Sequence, residues 1–280
     1  MEPVAPQLAA LSKDGSKRAM RGILRASPSA AANLISLVLF VLAWKFASDL
    51  LRNPLFPGPL VVAKTFWTLL TSGDLQGITL FEHSYVSLFR VLLGFAAACI
   101  TAIPLGIVLG LWKPLYTGTR SVSEPLRFIP PLAWIPLGII FFSGLSRYVF
   151  LIWVGTFFPL FVMTMNVIAT TPQLFIDVGR ATGGSRAFIV WKIVIPNSLP
   201  QIVGAMRMTL GPAWMCIMAA EMVTAELVGL GQMIYNYATV LRMDIVIVGM
   251  ITIGILGLAL NEVFLKIEQL LFRHLPKARL

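Results

Sequence analysis

Long apolar runs alternate with short polar ones along the whole chain. Apolar residues dominate six blocks, near 30–50, 84–112, 118–143, 147–170, 201–225 and 244–271. A helix rising 1.5 Å per residue needs about twenty apolar residues to cross roughly 30 Å of hydrocarbon, so each block is long enough for one span. The pattern predicts an all-α membrane protein with about six transmembrane helices. Between the first two blocks, Pro54, Pro57 and Pro59 precede VVAKTFWTLL, whose apolar residues cover one face of a short helix. Phe66 and Trp67 suit a helix lying at the membrane surface, and plain packing against the bundle is an equal reading.

Composition agrees: 58% of the 280 residues are hydrophobic and 12% charged, outside the range of soluble globular domains. The net charge of +10 does not point to nucleic acid. The basic residues are scattered at block ends and in short loops, where lipid head groups and membrane orientation account for them. With both termini inside, the inner set holds the N-terminal tail with Lys13, Lys17, Arg18, Arg21 and Arg25, then Lys113, Arg120, Arg180, Arg186, Lys192, Arg273, Lys277 and Arg279. The outer set holds Arg52, Lys64, Arg147 and Arg242. The excess of Lys and Arg on one side predicts a multi-pass chain with both ends cytoplasmic. The basic tail and the proline-rich stretch after the first block do not read as a cleaved signal peptide. Cys99 and Cys216 each lie inside an apolar run and read as small hydrophobes. The expected organisation is a basic cytoplasmic tail over 1–29, a membrane domain over 30–272 and a second basic tail over 273–280, with no internal repeat.

One polar segment interrupts the greasy blocks with unusual detail. From Thr171 to Pro200 the chain reads TPQLFIDVGRATGGSRAFIVWKIVIPNSLP. A helix starting after Pro172 is expected to run to about Thr182 and to break at Gly183-Gly184, where missing side chains permit a sharp turn. Ser185 is a good N-cap for a second short helix running into Pro196. Two short helices joined at glycine make a compact knob, which a partner's cleft can grip and push.

Within the spans, prolines and charges mark a candidate path. The segment FIPPLAWIP places Pro130, Pro131 and Pro136 around Trp134, and each proline removes a backbone donor. Carbonyls freed at membrane depth are tolerated where they face protein or a water-filled path. Pro212, Trp214 and Met215 repeat the arrangement in the fifth block, and Glu221 follows by two to three turns. An intramembrane carboxylate costs about 2.5–3.5 kcal/mol on insertion scales, so Glu221 needs a partner or water. Arg90 is well inside the second block and could meet Glu221, Glu82 or an anion, a carboxylate leading. His83 reads as interfacial, with no role. No Gly-x4-Gly-Lys-Ser/Thr loop occurs, and no Ser/His/Asp set, metal-ligand cluster or carboxylate pair suggests an enzyme.

The spacing Asp177-Val178-Gly179, three residues, Gly183, nine residues, Ile193-Val194-Ile195-Pro196 resembles the cytoplasmic coupling loop of bacterial ATP-binding-cassette importers. That loop reads Glu-Ala-Ala, three residues, Gly, nine residues, Ile, any, Leu, Pro. The resemblance extends from about Leu34 to the C-terminus, closest through EPLRFIPPLAWIPLGIIFFSG and GAMRMTLGPAWMCIMAAEM, and it points to permeases of the nitrate, taurine, aliphatic-sulfonate and bicarbonate branch. It implies a type I importer permease architecture in the cell inner membrane. Asp177, Val178, Gly179, Arg180, Gly183, Ser185, Arg186, Ile195 and Pro196 would form the ATPase-coupling loop. It also implies a second permease copy, two ATPase subunits and an extracytoplasmic binding protein. No cofactor is implied on this chain, with ATP and magnesium on the partner ATPase, and the cargo would be a small oxyanion such as taurine, another sulfonate or nitrate. The sequence departs from the pattern in two places: Asp177-Val178-Gly179 stands for Glu-Ala-Ala, and Ile195-Pro196 for Leu-Pro. Glycine at 179 should loosen its helix by up to about 1 kcal/mol relative to alanine. The rival reading is a self-contained secondary transporter or channel, for which an inverted repeat is a common sign.

Overall fold

The computed structural model describes residues 28–224 and 226–272. Most of both expected tails falls outside this range. Every regular element in it is helical. The chain divides into two compact units, one up to Val61 and one from Val62 onward. The first contains helix α1 (Pro28–Leu51). Its described side chains are largely exposed and apolar, apart from a Lys45–Asp49 pair at 2.9 Å.

The second unit takes in most of α2 (Pro59–Thr71), then α3 (Leu80–Gly110), α4 (Lys113–Leu126), a 3-10 turn (Pro131–Trp134), α5 (Ile135–Phe141) and α6 (Leu145–Ala169). After these come α7 (Gln173–Ala181), α8 (Arg186–Ile189), a π-helical stretch (Val190–Val194), α9 (Ile195–Val223), α10 (Leu230–Thr239) and α11 (Met243–Leu271). At 13 residues α2 is too short to span; it buries Val62 and Leu69, and its Thr65 Oγ1 donates to Asp244 at 2.9 Å.

The bundle is organised around α3 and α6. Gly94, Ala98, Ala102, Gly106 and Gly110 recur every fourth residue on α3 and are all buried. Small residues at this spacing let two helix backbones approach closely, the main source of attraction between helices when lipid removes the hydrophobic drive. At Gly94 a β-carbon would lie 2.5 Å from Ile152 Cβ, and at Gly110 it would lie 2.8 Å from the Met165 carbonyl oxygen. The contacts advance together along both helices, so α3 and α6 run parallel. A parallel pair requires the intervening residues, 113–141, to travel back to the starting end. α9 runs against α6, with Gly155 meeting Cys216 and Ala205 packing near Leu160 and Met165. α11 runs against α9, with Gly257 beside Trp214 and Arg207 3.7 Å from Glu268.

Among the described residues, five helices are long and apolar enough to cross a membrane: 32–51, 80–110, 145–169, 186–223 and 243–271. The sixth expected block, 118–143, is not one long helix: it is interrupted at its prolines, which favour a kink or an unwound stretch. It makes the return crossing in pieces, α4, the 3-10 turn and α5. Pro130 holds ψ at 134° because a following proline disfavours the helical region, and both prolines lack the N–H that would carry a helix through.

Candidate functional site

The polar segment after α6 folds as a knob closed at glycine. α7 ends in a Schellman motif: Gly184 N–H donates to Gly179 C=O at 3.0 Å and Gly183 N–H to Arg180 C=O at 2.9 Å. Gly183 adopts φ +76°, the left-handed conformation that glycine enters without a side-chain penalty. A β-carbon on Gly184 would fall 2.7 Å from the Gly179 carbonyl, so both glycines are used. Ser185 then caps α8, its Oγ accepting from Phe188 N–H at 3.2 Å.

The second helix does not end at Pro196, as the sequence suggested. It continues without interruption from Arg186 to Val223, 38 residues. The π turn over 190–194, with Ile195 N–H reaching back to Val190 C=O, is the reason. A proline lacks an N–H and its ring crowds the carbonyl four residues back, and the wider π turn just before Pro196 relieves that clash. The knob and the fifth predicted span are thus one rod.

Gly179 is buried where α7 crosses this rod, and its β-carbon would lie 2.6 Å from Ile193 Cδ1. The neighbour is the end of a flexible side chain, so the crowding is relieved by a rotamer change. Ile189 and Val194 fix the knob against Ile168, with Ile107 of α3 and Leu111 just after it beside them. The other face is exposed: Leu174, Val178, Phe188 and Trp191 are open, and Asp177 lies 3.5 Å from Arg180 and accepts from Gln173 at 3.2 Å. Arg180 and Arg186 are exposed beside them, as is Pro196 at the foot of the rod, with Ile195 half-buried. An exposed apolar face with charged flanks, on a rigid base, is suited to a protein partner.

The candidate path residues separate into three groups. Pro131, Trp134 and Met215 line one cavity of about 220 Å³ between the broken crossing, α6 and α9, together with Arg127, Gly155, Phe158 and Pro212. Gly155 allows this closeness: its β-carbon would lie 2.1 Å from Cys216 Sγ and 3.3 Å from Pro131. Trp214 instead is buried in the core that includes Ile253, Leu256 and Leu260 of α11. Pro130 and Pro136 shape the break without lining the cavity.

Arg90 and Glu221 form the third group, a buried clasp at the end of the bundle away from the knob. Arg90 Nη1 lies 2.8 Å from Glu221 Oε1, and Nη2 reaches Glu226 at 2.5 Å. The guanidinium stacks 4.0 Å from the centroid of the Tyr148 ring, and it also donates to Val228 C=O at 3.0 Å. Glu82 is not its partner; that carboxylate closes a capping box with Thr79 at the start of α3. His83, read as interfacial, is buried with 1% of its surface exposed. With Ser87 and Arg90 it occupies one face of α3, at intervals of four and three.

This face receives the start of α10. Gly229 N–H donates to His83 Nδ1 at 3.0 Å, Leu230 N–H to Ser87 Oγ at 2.8 Å and Gly231 N–H to Glu221 Oε2 at 2.9 Å. With Nδ1 accepting, Nε2 carries the ring proton and points at Asp74, 3.4 Å away. Carboxylate, hydroxyl and imidazole thus satisfy three backbone donors at a helix N-terminus, where negative charge is favoured. Nearby, Tyr237 accepts from Leu75 N–H at 2.9 Å, and burial raises its phenol above the ordinary value, so it stays neutral. Sequence reasoning paired Arg90 with a carboxylate but missed His83, Ser87 and Glu226. The four- and three-residue spacing of polar side chains inside an apolar block was the available signal.

Known proteins match most of the chain. Residues 102–274 match the family described as binding-protein-dependent transport system inner membrane component. A putative ABC transporter permease of Methanocaldococcus jannaschii is 35% identical over 240 residues, covering 84% of this chain and 88% of the relative. The taurine transport system permease protein TauC of Escherichia coli is 32% identical, covering 80% and 82%. The nitrate import permease protein NrtB of Synechococcus elongatus is 30% identical, covering 82% and 85%. In structure, the chain is similar to a chain of the MetNI methionine ABC transporter in an inward-facing conformation. The TM-score is 0.53 at 23% identity, covering 66% of this chain and 95% of that one.

Proposed function

Because the chain belongs to the family of binding-protein-dependent transport system inner membrane components, we propose that it forms the membrane path for a small oxyanion. It is the permease subunit of an ABC importer and not itself an enzyme; ATP hydrolysis is done by partner ATPase subunits. Within that frame, the proposed cargo is taurine, another sulfonate, nitrate or bicarbonate, delivered by an extracytoplasmic binding protein. The proposed assembly has two copies of this chain and one ATPase docked on each knob. Both termini and the knob lie in the cytoplasm, in keeping with the clustering of basic residues on that side.

The observation that carries this reading is the continuity of the 186–223 rod. A partner gripping the exposed faces of α7 and α8 holds the near end of a helix whose other end lines the cavity and enters the clasp. Closure of two ATPases on ATP would then move both knobs together and open the path outward, and hydrolysis would return it inward. Asp177, Val178, Arg180, Gly183, Ser185, Arg186, Ile195 and Pro196 serve as the docking and hinge set, with Gly179 at the crossing of α7 and the rod.

The test is reconstitution in liposomes. Uptake of labelled taurine, nitrate or bicarbonate should require the ATPase subunits, ATP and the binding protein. Flux by this chain alone, driven by an ion gradient, would instead identify a self-contained secondary transporter.

A further inference from the structure

We propose that Arg127 is the anion-contacting side chain of a transit site deep in the membrane domain. The proposal rests on the oxyanion reading above and names the residue that would carry its charge preference. Arg127 lines the cavity formed with Pro131, Trp134, Gly155, Pro212 and Met215, and it is the one charged side chain in that lining.

Its surroundings leave its charge available. Other arginines inside apolar blocks are answered: Arg90 is met by two carboxylates and a ring, and Arg207 lies 3.7 Å from Glu268. Arg127 forms no ion pair among the described residues; its guanidinium lies 4.9 Å from the centroid of the Phe128 ring. Glu124, three residues earlier, is taken by Arg120 at 2.7 Å. A cation at membrane depth without a carboxylate normally faces a water-filled cavity and marks a substrate pathway.

Depth and backbone agree. Arg127 follows the last residue of α4, about 20 Å from the knob end of that helix at 1.5 Å per residue. Gly155, across the cavity, is a similar distance from the knob end of α6. Gly155 is near the middle of the 145–169 span, so the cavity beside it lies at mid-span depth. Residues 127–130 are the non-helical break in the crossing, and interrupted helices at this depth are where transporters bind ions and substrates. A guanidinium presents paired N–H donors that match the oxygens of a sulfonate, nitrate or carboxylate. A single cation in an otherwise apolar lining attracts an anion without holding it, as passage requires.

The experiment compares Arg127→Met and Arg127→Lys in the full complex with ATPase and binding protein in liposomes. Uptake of labelled taurine, nitrate and bicarbonate is measured beside ATP hydrolysis. Arg127→Met should lower anion uptake about tenfold or more, while hydrolysis stimulated by loaded binding protein stays within about twofold. Arg127→Lys, which keeps the charge, should retain uptake within several-fold of the parent. Unchanged uptake in Arg127→Met overturns the site. A loss in Arg127→Lys as complete as in Arg127→Met overturns it too, as does failure of both variants to assemble, since Arg127 is then a packing residue. If the parent complex moves none of the three anions, the oxyanion reading fails instead.

Discussion

Arg90 and Glu221, 131 residues apart in the chain, meet at 2.8 Å inside the bundle, and the same carboxylate holds the first turn of α10. One ion pair therefore joins α3, α9 and the start of α10. Removing one partner of a buried pair typically costs about 3–5 kcal/mol, because the other charge is left unanswered. Arg90→Met and Glu221→Gln should each lower thermal stability in detergent strongly. The double variant should lose clearly less than the sum of the two, and strict additivity would show that the pair is not coupled.

The knob makes a separate demand at its turn. Gly183 is left-handed, and a β-branched residue there stores about 1–3 kcal/mol of backbone strain. Gly183→Ile combined with Asp177→Lys should leave the permease inserted and purifiable while abolishing the stimulation of ATP hydrolysis by loaded binding protein. Hydrolysis at the parent rate in the double variant would remove the coupling role of the knob.

Gly155 should show compensation. A methyl group there meets Cys216 Sγ, and overpacking of this kind costs about 1–3 kcal/mol. Gly155→Ala should lower the melting temperature, and adding Cys216→Ala, which deletes the obstructing sulfur, should restore most of it. No recovery in the double variant would place the obstruction at Pro131 instead.

Gly179→Ala tests the softness inferred from sequence. Alanine improves helix propensity by up to about 1 kcal/mol but must displace the end of Ile193. The two effects oppose each other, so stability and coupled ATP hydrolysis should both stay near the parent values. A large loss of either would show Ile193 to be locked in place.

The spans and the knob were legible because both are local. Apolar runs of about twenty residues, paired glycines and a serine cap announce themselves within a few residues. Arg90 also announced its need for a partner, since a charge in an apolar run must be answered. Three features were harder to read. Pro130, Pro131 and Pro136 announce a kink or an unwound stretch in the return crossing, but composition does not choose between them; the backbone restriction of Pro130 before Pro131 makes it a break. Pro196 reads as a helix end because a π turn has no sequence signal as plain as a cap. His83, Ser87 and Glu226 acquire their partners only when α10 folds back onto α3, more than 130 residues away in the chain, and no local pattern specifies that.

The period-four run of small residues from Gly94 to Gly110 divides the bundle into what stays and what yields. From the middle of α3 at Gly94 to its end at Gly110, glycine backbone lies tight against Ile152, Thr164 and Ile168 of α6 and leaves little room for one helix to slide past the other, so this pair acts as a keel. The pieces of the return crossing lie between these two helices in the chain. Its ends are tied to the keel, while at 127–130 regular helix gives way to single turn bonds, Phe128 N–H to Pro125 C=O and Ile129 N–H to Leu126 C=O, and Pro130 and Pro131 donate none. Displacement is therefore cheapest at that break, and opening and closing can proceed there while the keel keeps its shape.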